Sequence, residues 1–191
     1  MHRLVLLALF AVTVTVPTLL GVRHPASMAV IASAVALWLV VVWLGREFLR
    51  GRAAMRRGEL DRAVACFERF LDHLAARPRW LRGLWMSWDT ADPVAMSWNN
   101  VGVCHLARLR LDDAEEALVR ARDRDARYAL PHVNLAIVAQ LRGHGDEAMA
   151  HAAEAQRLGY SGSKLAAALR RAVAAHSMAV GDVLTTEPSS H

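Results

Sequence analysis

Ala95-Met-Ser-Trp98-Asn-Asn-Val101-Gly102-Val-Cys-His105 returns 34 positions later as Ala129-Leu-Pro-His132-Val-Asn-Leu135-Ala136-Ile-Val-Ala139. The first copy is followed by Ala114, Leu118 and Ala121, the second by Ala148, Ala152 and Ala155. Three tracts share this frame: Gly58-Glu-Leu-Asp61-Arg-Ala63, Leu109-Arg-Leu-Asp112-Asp-Ala114 and Gly143-His-Gly-Asp146-Glu-Ala148. Each is expected to end one helix, to cap the next with its Asp, and to set a small Ala where two helices cross. A period of this length means stacked helix pairs, none of which buries its apolar face alone.

The pattern resembles the tetratricopeptide repeat, whose unit carries W-x2-L-G-x2-Y and then A-x3-F. The middle copy supplies Trp98, Val101, Gly102, Ala114 and Leu118, with His105 at the Tyr position. The third keeps Leu135, Gly143, Ala148 and Ala155 but has His132 for the Trp. The first has a good second helix (Ala63, Phe67, Phe70) behind a divergent first helix at about 46–57. Asp92-Pro93 predicts a helix start, an N-cap followed by proline at the first helical position. Asp112-x-x-Glu115 reads as a capping box. Ser163–His176 reads as an amphipathic closing helix.

Upstream, 4–20 and 28–44 are free of charged residues, and the chain has no Asp, Glu or Lys before Gly45. Extended by their flanks to 4–22 and 26–45, these runs predict a transmembrane hairpin turning at 21–27. Arg46, Arg50, Arg52, Arg56 and Arg57 follow the second run, so the positive-inside rule predicts both termini and the repeat in the cytoplasm. A cleaved signal peptide is disfavoured, because no A-x-A-like site follows the first run. One lysine against 22 arginines, with abundant alanine, points to a GC-rich bacterial source. The expected location is therefore a bacterial inner membrane.

The expected fold class is all-α: two transmembrane helices (1–45), then a short repeat solenoid over 46–176. About three helix pairs and a capping helix make up the solenoid, and 177–191 reads as a disordered tail. The first two copies lie 51 positions apart, 34 plus an insertion of 17 at about 77–93. The insertion carries Trp80, Trp85 and Trp88 on one helical face. Two readings stay open: an interfacial helix on the bilayer, or a stripe packed on the repeat, the second being favoured.

The formal net charge of +5 does not indicate nucleic acid as a partner. From Gly58 onward 16 Lys and Arg face 17 Asp and Glu, so the repeat lacks a basic footprint. Cys66 and Cys104 form no C-x-x-C pair and read as buried thiols. The histidines show no H-x3-H or H-E-x-x-H spacing, and neither a phosphate loop nor a G-x-S-x-G occurs. No catalysis, metal or cofactor is expected.

The resemblance implies a peptide groove lined by the first helix of each repeat. Carried over by position, its residues are Asn99, Asn100, Val103 and Leu106, then Val133, Asn134, Ile137 and Gln140. Asn100 and Asn134 fall at equivalent positions, where either ligand bonding or inter-repeat bonding is open. The expected function is a membrane-anchored adaptor presenting this groove to an unidentified protein partner, with lipid contacted through the hairpin. The alternative is a small subunit of a membrane complex whose hairpin makes the main contacts.

Overall fold

The computed structural model describes residues 25–76 and 92–185 and divides the chain into two compact units, 1–46 and 47–191. Among the described residues the protein is all-α, with eight helices.

In the first unit α1 spans Pro25–Leu44 and ends in a turn at Gly45. Ser33 Oγ donates back to the Ala29 carbonyl at 2.8 Å, and the Arg46 guanidinium lies 5.0 Å from the centre of the half-exposed Trp43 ring. The membrane hairpin is corrected here: among the described residues no helix is long and apolar enough to cross a membrane. Pro25, Ser27 and Ser33 interrupt the run, leaving Ala34–Leu44 as its unbroken apolar part. That stretch is about 16 Å of helix against a hydrocarbon layer of roughly 30 Å. The other proposed arm, 4–22, lies outside the described residues. The inner-membrane location and the two-pass topology rested on that hairpin and are overturned with it.

The second unit is built from helix pairs. α2 (Arg46–Arg56) buries Phe48, Gly51 and Ala54, while α3 (Leu60–Ala75) buries Ala63, Cys66, Phe67, Phe70 and Leu74. Phe48 packs edge-on against Phe67 with ring centres 5.5 Å apart, and tilted against Phe70 at 5.4 Å. α4 (Pro93–Leu106) with α5 (Leu111–Arg124) forms the second pair, α6 (Ala129–Leu141) with α7 (Gly145–Arg157) the third. α3 packs on α4, α5 on α6, and α4 also touches α6, the ladder of a solenoid in which each pair covers the next.

Small residues set the crossings. A Cβ on Gly102 would lie 2.6 Å from Leu118 Cγ, and one on Gly51 would lie 2.8 Å from the Phe67 ring. Gly51 precedes Gly102 by the same 51 positions that separate Phe67 from Leu118. The first pair therefore carries the repeat's glycine after all, in a helix that otherwise looks divergent.

Asp92 caps α4, its Oδ1 accepting from Val94 N at 2.8 Å and Ala95 N at 3.3 Å, with Pro93 in the first turn. The capping expected of Asp61, Asp112 and Asp146 is corrected. α3, α5 and α7 begin two residues earlier than those caps require, with Glu59, Arg110 and His144 at the N-cap and no side-chain cap bond. The aspartates sit inside the first turn, where the helix dipole still favours them. α8 (Gly162–Thr185) closes the array by packing on α6, with Leu165 buried beside Val133 and Ala155. It continues past 176, where the tail had been placed.

Candidate functional site

The candidate site is the face of α4 and α6, the first helices of the second and third pairs. Along α6, Pro131, His132, Val133, Leu135, Ala136, Ile137, Val138 and Ala139 are all buried. A helix covered on so many sides has neighbours in front as well as behind, and α4, α5, α7 and α8 supply them.

The eight residues inferred for the groove do not share one environment. Asn99, Val133 and Ile137 are buried, Asn100, Val103, Leu106 and Asn134 are half-buried, and Gln140 is exposed. Val133 lies with Leu165 of α8, and Leu106 packs on the cluster of Ala114, Leu118, Leu135 and Val138. Asn99 and Asn134 are brought together: Asn134 Nδ2 donates to Asn99 Oδ1 at 2.9 Å. The bonded pair is thus one position off the pair that the 34-residue frame equates. Trp80, Trp85 and Trp88, with the insertion up to residue 91, lie outside the described residues. Trp98 is half-buried under the Arg120 guanidinium, 4.7 Å from its ring centre.

Behind this face His132, standing at the repeat's Trp position, meets His151 of α7 with 3.3 Å between the two Nδ1 atoms. Burial holds both imidazoles below their ordinary pKa, and for His132 the neighbouring His151 lowers it further. One ring nitrogen donates and the other accepts, the roles being set by the two tautomers. Among the described residues no three His, Cys, Asp or Glu side chains gather as metal ligands. The two cysteines are buried free thiols, and burial pushes Cys104 up to about 11.

Ion pairs between repeats were not anticipated. Arg108, just after α4, pairs with Asp61 in the first turn of α3. Arg142, 34 positions later, pairs with Asp112 at 2.5 Å, in the first turn of α5, and with Glu115 one turn further on. The signal was available in the spacing, since Asp61 and Asp112 are 51 apart, the offset of the first two copies. The Arg108 pair is exposed and the Arg142 pairs are partly so, and each contributes on the order of 1 kcal/mol or less; their value lies in register.

The model of a known family, described as coatomer epsilon subunit, matches residues 87–183, half of the chain. The matched stretch begins in the insertion, takes in the second and third helix pairs and ends within α8. No curated protein matches this chain.

Proposed function

Because the chain belongs to the coatomer epsilon subunit family, we propose that it is a protein-interaction subunit of a larger assembly, acting by binding and not by catalysis. The single observation that carries this reading is the match over 87–183, which covers the second and third helix pairs and most of α8. The chemistry of the face is consistent with it. Asn100, Val103 and Gln140 offer amide and aliphatic contacts on the α4–α6 side, the mixture found where one protein docks on another. Stacked helix pairs offer such a face at little conformational cost, because each helix is already held by its neighbours.

The test is the state of the full chain isolated from cells that make it. The subunit reading expects co-elution with other proteins in fixed ratio, at a native mass well above the chain's own 21.0 kDa. Migration as a lone 21.0 kDa species under mild conditions sinks it. Val103→Arg with Gln140→Arg, neither side chain being fully buried, is expected to release the chain from the assembly while leaving its helicity intact.

A further inference from the structure

Outside the matched stretch, Glu47, Arg50, Arg57, Arg62, Cys66 and Arg69 line a cleft of about 330 Å³ between α2 and α3. Its four arginines fall into two pairs, each gathered on one carboxylate. Glu47 accepts from Arg50 Nη1 at 2.5 Å and from Arg69 Nε at 3.2 Å. Glu59 accepts from Arg57 Nε at 2.7 Å and from Arg62 Nη1 at 2.9 Å. The Glu47 side chain is only 6% exposed, whereas the four arginines are 53–67% exposed. A buried carboxylate therefore anchors guanidiniums that face outward.

Charge and spacing together select the ligand. Four guanidiniums against two carboxylates leave an excess of two positive charges along the cleft. Each guanidinium has five N–H donors in a planar fork, more than the bonds above occupy. Arg50 and Arg57 are seven positions apart on one side, Arg62 and Arg69 seven apart on the other. At 1.5 Å per helical residue the two pairs stand about 10 Å apart. One phosphate cannot reach both. An extended chain in the polyproline II form, with three residues per turn and about 3.1 Å rise, places side chains i and i+3 on one side about 9 Å apart.

We propose that this cleft docks an extended acidic segment of a partner protein, whose two carboxylates, three positions apart, each complete one arginine pair. This rests on the reading of the chain as a protein-binding subunit, and it adds a second surface, distinct from the α4–α6 face. Two incoming carboxylates neutralise the excess charge and meet bidentate donors at both ends.

The probe is a short fluorescein-labelled peptide with two glutamates three positions apart in a proline-rich context, titrated with the full chain by anisotropy. Binding is expected, weakening steeply with salt, and Arg57→Gln with Arg62→Gln is expected to lower affinity about tenfold or more. These two arginines spare the buried Glu47 anchor, and circular dichroism checks the fold. Should the double variant lose helicity, Arg62→Gln alone, on the most exposed of the four, is expected to weaken binding severalfold. Equal binding of the matching diglutamine peptide overturns the proposal, as does indifference to these substitutions. Displacement of the peptide by inorganic phosphate at equal concentration overturns it as well. So does capture of the chain by phosphatidylserine vesicles when the peptide does not bind. If the unmodified chain sits in its assembly but ignores the peptide, the cleft proposal alone fails; if it is found in no assembly, the subunit reading fails.

Discussion

Asn134 of α6 donates through Nδ2 to Oδ1 of Asn99 on α4, at 2.9 Å, and so ties the second helix pair to the third by side chains that are buried or half-buried. An amide pair in such a place is directional where the surrounding aliphatic contacts are not. Asn99, 3% exposed, has its carbonyl oxygen met within the fold, a bond that water is poorly placed to replace.

Asn99→Ala leaves the Asn134 amide without that acceptor, and the expected loss of stability is about 1–3 kcal/mol in urea unfolding. Replacing both asparagines by Leu is expected to cost less than the sum of the two single Leu changes, because no amide is then stranded. Additive losses would show that the two side chains act independently.

Gly102→Ala is expected to destabilise by about 1–3 kcal/mol, because its Cβ would stand 2.6 Å from Leu118 Cγ and 3.2 Å from the Ala114 carbonyl oxygen. Gly51→Ala drives a methyl to 2.8 Å from the Phe67 ring and falls in the same range. Gly145, at the start of α7, has nothing within 4 Å of the built Cβ, so Gly145→Ala serves as the control and is expected to be neutral or to stabilise by up to about 1 kcal/mol. Thermal melts of the three variants separate crowding from backbone effects.

Leu109 holds φ 56° at the turn where the other two pairs use Gly58 and Gly143, at φ 75° and 79°. The same six-to-one bond closes all three turns: Glu59 N to Ala54 O, Arg110 N to His105 O and His144 N to Ala139 O, at 2.9–3.0 Å. A left-handed non-glycine residue costs about 1–2 kcal/mol, and glycine gives back roughly 0.5–1 kcal/mol in chain entropy. Leu109→Gly is therefore expected to raise stability by roughly 0.5–1 kcal/mol. A fall in midpoint would mean that the partly covered leucine side chain outweighs its backbone strain.

The repeat was legible because its signals are local and periodic. Trp98, Gly102, Ala114 and Leu118 recur at set offsets, and Asp92-Pro93 announces its helix through backbone chemistry alone. Two things were hidden for physical reasons. Which face of α4 meets α6 depends on a few tens of degrees of helix rotation, so spacing equated Asn100 with Asn134 while the packed structure bonds Asn99. The arginines after Leu44 were read as a membrane boundary, since charge composition does not reveal partners; Arg50 and Arg57 instead engage Glu47 and Glu59. The hairpin itself was inferred from hydropathy, which counts Ser27 and Ser33 as tolerable interruptions where the described helix keeps an unbroken apolar stretch only from Ala34 to Leu44.

The His132–His151 contact predicts a stability that depends on pH in the mildly acidic range. Burial lowers both imidazoles below the ordinary value of 6.5; His151 and the Arg122 and Arg157 guanidiniums add to this for His132, and Arg122 for His151. Glu154 near His132, and Glu147 and Glu115 near His151, oppose the shift without reversing it. With folded values depressed, the unfolded chain binds the protons first, so the contribution is present above pH 6.5 and is lost as pH falls through the folded values. Glu47, Glu59 and Glu154, held below their ordinary 4.5, lose their contribution only at lower pH and do not mask the effect. The thermal midpoint is expected to drop between pH 7.5 and 5.5 (about one unit either side of the free imidazole value), and His132→Leu should flatten that slope. An unchanged slope in the variant would place the titration elsewhere in the molecule.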